Sequence, residues 1–174
     1  MKQQFIKIML IIAVIASPSL DVKLHAEWSE SGSIAFVSDY IWRGDSQTNN
    51  HAGVQAGLNW DHSSGYYMGL WGANINTDNS SLELDLFSGY SGKINGLNYT
   101  IGGLYYYYPN RSDLDVFEYV ITMDLPLVTA GIYYGVQANH LYLSVSSGMN
   151  ISKDTVLKCS LGTLTGPNEQ VDLL

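Results

Sequence analysis

Disulfide bonds are the first thing this chain cannot have. Cys159 is its single cysteine, so no internal bridge supports the fold. Charge is also scarce: charged residues make up 14% of the 174, against about 25% in ordinary soluble chains. Basic residues are scarcer still, 8 against 16 acidic, and the formal net charge of -8 leaves no basic patch for nucleic acid. No helical period of apolar residues appears after about residue 32. The one N-terminal apolar run, Ile8 to Ala16, falls short of the about 20 residues a spanning helix needs.

That short run has another use. Lys2 and Lys7 precede it or lie at its start, and Leu24–Ala26 offers a small residue before Glu27. This is the layout of a secretory signal. Residues 1–26 are therefore expected to be a signal peptide, with one domain over 27–174. Export without disulfides suits a Gram-negative periplasm or outer membrane.

What the chain has is alternation of period two. In "LELDLFSGY", Leu82, Leu84, Leu86 and Tyr90 oppose Glu83, Asp85, Phe87 and Gly89. "FEYVITMDL" sets Phe117, Tyr119, Ile121, Met123 and Leu125 against Glu118, Val120, Thr122 and Asp124. "IAFVSDYIW", "AGVQAGLNW" and "AGIYYGVQA" behave alike, with weaker versions near 141–149 and 157–163. "GYYMGLWGANI" is apolar on both faces and cannot be oriented from its residues. Runs of about 9–11 residues have the length of a tilted membrane-crossing strand. Short turn signals such as "TDNSS", "SGKING" and "PNRSD" separate them and predict antiparallel hairpins. The expected fold is all-β: an antiparallel up-and-down transmembrane β-barrel of about nine strands.

Sidedness follows from three features. The polar faces carry glycine and amides. No charge falls on an orientable apolar face. Aromatics gather at strand ends: Tyr40, Trp42, Trp60, Tyr90, Tyr99, Tyr105, Tyr107, Phe117 and Tyr119. Tyr and Trp favour the headgroup layer, so these nine are expected to form the aromatic girdle. "GLYYYYPN" then makes sense, with Tyr105 and Tyr107 toward lipid and Tyr106 and Tyr108 toward the lumen mouth. A soluble periplasmic binding barrel, with its apolar face inward, remains the contrasting fold.

The inward charges expected from alternation are Asp39, Arg43, Glu83, Asp85, Glu118 and Asp124, with Arg43 placed to pair with Asp39. Such carboxylates favour cations in an open lumen or fill a narrow one. No catalytic, metal or cofactor set is expected. His25, His51, His62 and His140 stand apart, and Asp39, Ser46 and His51 near one rim are read as chance proximity. Cys159 shares an apolar face with Leu157 and Leu161, as a small hydrophobe would.

The segments Phe36–Trp60, "SSGYYMGLWGANI" and "LELDLFSGYSGKINGLNYTIGGLYYYYPN" resemble the TorF family of proteobacterial porins. The resemblance is carried by Ser38-Asp39-Tyr40, Arg43-Gly44, Ser46-Gln47, Glu83 with Asp85, Gly89-Tyr90, and Tyr106 with Tyr108-Pro109. It covers roughly residues 33–164 and implies an outer-membrane β-barrel with pore activity. Its partners would be outer-membrane lipid, the barrel-assembly machinery and small solutes. Passive diffusion is the implied function; a non-conducting scaffold is the alternative. The ending "GPNEQVDLL" lacks the terminal aromatic of such barrels, and with an odd strand count this predicts an incomplete barrel.

Overall fold

The computed structural model describes residues 28–77, 79–166 and 170–173. The expected signal peptide, residues 1–26, lies outside them, as does His25. Twelve strands follow in chain order: β1 (Trp28–Val37), β2 (Ile41–Trp42), β3 (Asp45–Ser46), β4 (Gly53–His62), β5 (Tyr66–Thr77) and β6 (Ser80–Ile94), then β7 (Leu97–Tyr107), β8 (Val116–Asp124), β9 (Thr129–Gly135), β10 (His140–Ser152), β11 (Thr155–Thr165) and β12 (Gln170–Leu173). Ten of these form one sheet in the order β1-β4-β5-β6-β7-β8-β9-β10-β11-β12. Every pairing in this sheet is antiparallel, and each strand pairs with the next one in chain order once the β2–β3 hairpin is set aside, so the chain is all-β and runs up and down. β2 and β3 make a separate hairpin inside the β1–β4 connection.

Two expectations need correction. The sheet has ten strands rather than nine. The first strand starts earlier and stops at Val37, short of Trp42. The described residues do not close a barrel, in line with the expected incompleteness: β1 pairs with β4 alone, and β12 covers only Leu161–Leu164 of β11, so β1 and β12 are edges.

The connections differ at the two ends. One end, here called lower, carries the short turns 63–65, 95–96, 125–128 and 153–154. The upper end carries the two longest connections, 38–52 and 108–115, together with the short ones 78–79 and 136–139.

Burial is inverted relative to a water-soluble core. Glu118 is 0% exposed, Glu83 2% and Asp85 8%, while Phe36 is 83% and Ile34 72% exposed. Leu82, Leu84, Leu86, Ile101, Ile121, Ile132 and Val145 are exposed as well. Alternation explains this, because residues two apart on a strand share a face. Register orients the segment that sequence left open: Trp71 stands opposite Asp85 and Ala73 opposite Glu83, so these aromatic and small residues face inward. Tyr66, Met68 and Leu70 face outward and are exposed. An apolar exterior this extensive marks a surface for lipid or another partner.

Rings collect at both rims of the outer face. At the lower end Tyr90 meets Tyr66 (5.2 Å) and Tyr99 (6.4 Å), with Trp60 opposite Met68 nearby. At the upper end Tyr105 stacks on Tyr107 (6.4 Å) and Phe117 meets Tyr119 edge-on (5.1 Å). Tyr40 and Trp42 are the exceptions. They lie inside, Tyr40 against Trp71 (5.3 Å) and Trp42 against Tyr106 (5.9 Å).

The sheet must curl. The 38–52 connection touches Trp71 of β5, Glu83 of β6, Tyr106 of β7, Glu118 of β8, Tyr133 of β9 and Tyr142 of β10. Six flat strands would spread over about 24 Å. One short loop reaches them all only from the inside of a strong curve.

Candidate functional site

The inward loop is organised by Asp39. Its Oδ1 accepts hydrogen bonds from Ser46 Oγ (2.6 Å) and Thr48 Oγ1 (2.7 Å). These bonds hold the Asp39 carboxyl below its usual range, the Ser46 bond first. Thr48 Oγ1 also accepts from the Tyr40 backbone N–H (3.0 Å). Gln47 N–H donates to the Tyr40 carbonyl, and Asn76 N–H donates to the Gln47 carbonyl (2.7 Å each). A polar residue thus competes with strand extension and wins, which is why β1 stops at Val37.

Arg43 and Gly44 join β2 to β3, with φ of 47° and 87°. Both central residues in the left-handed region are the mark of a tight primed hairpin turn. Glycine takes that conformation freely; arginine does so at a cost of order 1–3 kcal/mol. The strain puts the guanidinium at the tip of an inward-pointing hairpin.

Glu118 on β8 receives it. Arg43 Nη1 donates to Glu118 Oε1 and Nη2 to Oε2, both 2.8 Å, a two-pronged fork. His140 Nε2 lies 2.7 Å from Glu118 Oε1 and 3.3 Å from Arg43 Nη1. Tyr106 Oη donates to Glu118 Oε2 (3.1 Å). Each carboxylate oxygen therefore has two partners. The guanidinium also sits over the rings of Tyr142 (4.2 Å) and Trp42 (4.3 Å), with Tyr133 at 5.2 Å.

A second pair is less well served. Glu83 accepts one bond from Tyr40 Oη (3.3 Å), and the Tyr108 phenol is also a partner. Among the described residues Asp85 accepts no hydrogen bond, and its Oδ1 is buried without a partner.

Of the six expected inward charges, Arg43, Glu83, Asp85 and Glu118 come together on the inner face. Arg43 pairs with Glu118 and not with Asp39, because the loop turns the two apart. Asp39 belongs to the loop's own scaffold. Asp124 lies exposed at the lower end, where Asn98 (3.2 Å) and Thr129 (2.8 Å) donate to it. Sequence reasoning missed His140, Tyr133 and Tyr142. A signal existed: Tyr142 and His140 alternate on β10, and His140 faces Gly135, where a Cβ would meet the imidazole at 2.6 Å.

An antiparallel up-and-down sheet wrapped around an inward loop, with ionisable groups inside and aliphatics outside, is the class of protein that this fold and site define. Residues 25–162 match the family described as a bacterial protein of unknown function, Gcw_chp, and the chain belongs to that family. No curated protein and no solved structure matches it.

Proposed function

We propose that the sheet is the wall of an outer-membrane β-barrel acting as a porin-like passage for small hydrophilic solutes, narrowed by the 38–52 loop. The observation that carries this is sidedness: Glu83, Asp85 and Glu118 are buried inside while Leu84, Leu86 and Ile121 are exposed outside. Lipid tolerates the second group and rejects the first. Three further features support the reading. Aromatic rims bracket the apolar band, as an interfacial girdle does. The two longest connections, 38–52 and 108–115, share one end, as the extracellular loops of such barrels do. The resemblance to the TorF porins points the same way. Ten strands is an even number, and β12 runs antiparallel to β1, so pairing these edges would complete the wall without breaking the pattern.

Planar-bilayer recording of the refolded protein tests it. Discrete conductance steps with a preference for cations are expected, from the carboxylates inside. Glu83→Gln together with Asp85→Asn should move the reversal potential toward anions. No steps above background would reject the passage.

A second reading, a filled and non-conducting barrel, is favoured by the burial of Tyr40 and Thr48 in the loop and of Tyr106 on the wall. It predicts silence in the native protein and steps after replacing residues 41–46 with a short glycine–serine turn.

A further inference from the structure

The inner face treats its carboxylates unequally. Glu118 has four polar contacts from Arg43, His140 and Tyr106. Asp85 has none, although it is more than nine-tenths buried and its Oδ1 has no partner. Register leaves no doubt about its surroundings: Asp85 stands between Trp71 of β5 and Tyr106 of β7. Glu83 is its same-face neighbour on β6, about 6.7 Å along the strand. The Arg43 guanidinium is committed to Glu118. A buried carboxylate without a counter-charge or donor is strongly disfavoured, so an unfilled partner position in a native site calls for a specific occupant.

We propose that Glu83 and Asp85 bind one monovalent alkali cation, held by Asp85 Oδ1, the Glu83 carboxylate and the neighbouring phenol oxygens of Tyr40 and Tyr108. This names the ion class for the porin reading and rests on it for the ion's route. The donor set is oxygen throughout, which suits a hard cation. A divalent ion fits poorly: no group of three His, Cys, Asp or Glu that could hold a metal ion occurs among the described residues, and Ca²⁺ and Mg²⁺ take six or more oxygens. A proton would cancel one charge without supplying the missing partner of Oδ1. Glu83 already receives phenol hydrogens, so the bound ion completes the half of the pair that protein donors leave open.

The test is thermal unfolding of the refolded full chain in detergent micelles, titrating potassium chloride against choline chloride at constant ionic strength. A ligand that binds only the folded state raises the midpoint with saturation. Potassium is expected to raise it and choline is not. Asp85→Asn and Glu83→Gln should each raise the half-saturating potassium concentration by about tenfold or more, equivalent to about 1.4 kcal/mol or more of binding free energy. Asp154→Asn, on an exposed turn far from the pair, should leave it unchanged. Equal midpoints in potassium and choline would overturn the proposal, as would an undiminished potassium effect in both Asp85→Asn and Glu83→Gln. If one variant fails to fold, the other and the native comparison still decide. The outcome separates from that of the passage itself. Potassium binding without bilayer conductance removes the pore and keeps the site; conductance without potassium-specific stabilisation does the reverse.

Discussion

Arg43→Ala is expected to destabilise the folded protein by about 3–5 kcal/mol, the usual cost of stranding one member of a buried ion pair. The size follows from Glu118, which is fully buried and would keep its charge with only Tyr106 and His140 beside it. The cation–ring contacts with Trp42 and Tyr142 vanish too, each worth about 0.5–2 kcal/mol. Alanine carries a Cβ as arginine does, so the left-handed strain at residue 43 remains and offsets nothing. Arg43→Lys should recover part of the loss, since a point charge cannot make the two-pronged contact. The double variant Arg43→Ala, Glu118→Gln should lose clearly less than the sum of the single losses, because neither leaves a charge behind. Guanidinium unfolding in detergent gives the four values of the cycle. Additive losses would mean that Arg43 and Glu118 do not act as a pair.

The second large effect concerns the outer face. Ile121→Arg is expected to cost about 2–4 kcal/mol of stability in a bilayer, the penalty for a cation near the midplane on a lipid-facing strand. Thr122→Arg, one residue on, points inward and should be tolerated. Two adjacent positions thus give opposite outcomes, because side chains alternate along β8. Urea unfolding in lipid vesicles, scored by the mobility shift of the folded band, checks both. Similar penalties at 121 and 122 would show that neither face is special.

Much of this was readable before any coordinates. Glu83, Asp85 and Glu118 alternate with Leu84, Leu86 and Tyr119, and period two alone separates them into two faces. The tyrosine run was legible for the same reason. Tyr105 and Tyr107 are outside, while Tyr106 is buried and donates to Glu118. What failed was the assumption that alternation implies a strand. It continues through Tyr40 and Trp42, yet the Asp39 carboxylate gathers Ser46 and Thr48 and folds the chain inward. Those two rings were therefore assigned to the girdle when they pack inside. The Arg43–Glu118 pair was hidden by separation: the partners are 75 residues apart and meet only because the sheet curls. His140 stands apart from the other histidines in the sequence, because its partners Arg43 and Glu118 come from a loop and another strand. "GYYMGLWGANI" was opaque because both of its faces are apolar, and only its register against β6 orients it.

The most direct measurement is a lipid-contact scan along β6 and β8. In a Cys159→Ser background, single cysteines at residues 84, 86, 87, 89, 120 and 121 are labelled with a fluorophore in vesicles containing brominated lipid. Strong quenching is expected at 84, 86 and 121, and little at 87, 89 and 120. Quenching of the second set with the first set protected, or no alternation at all, would contradict a lipid-facing exterior.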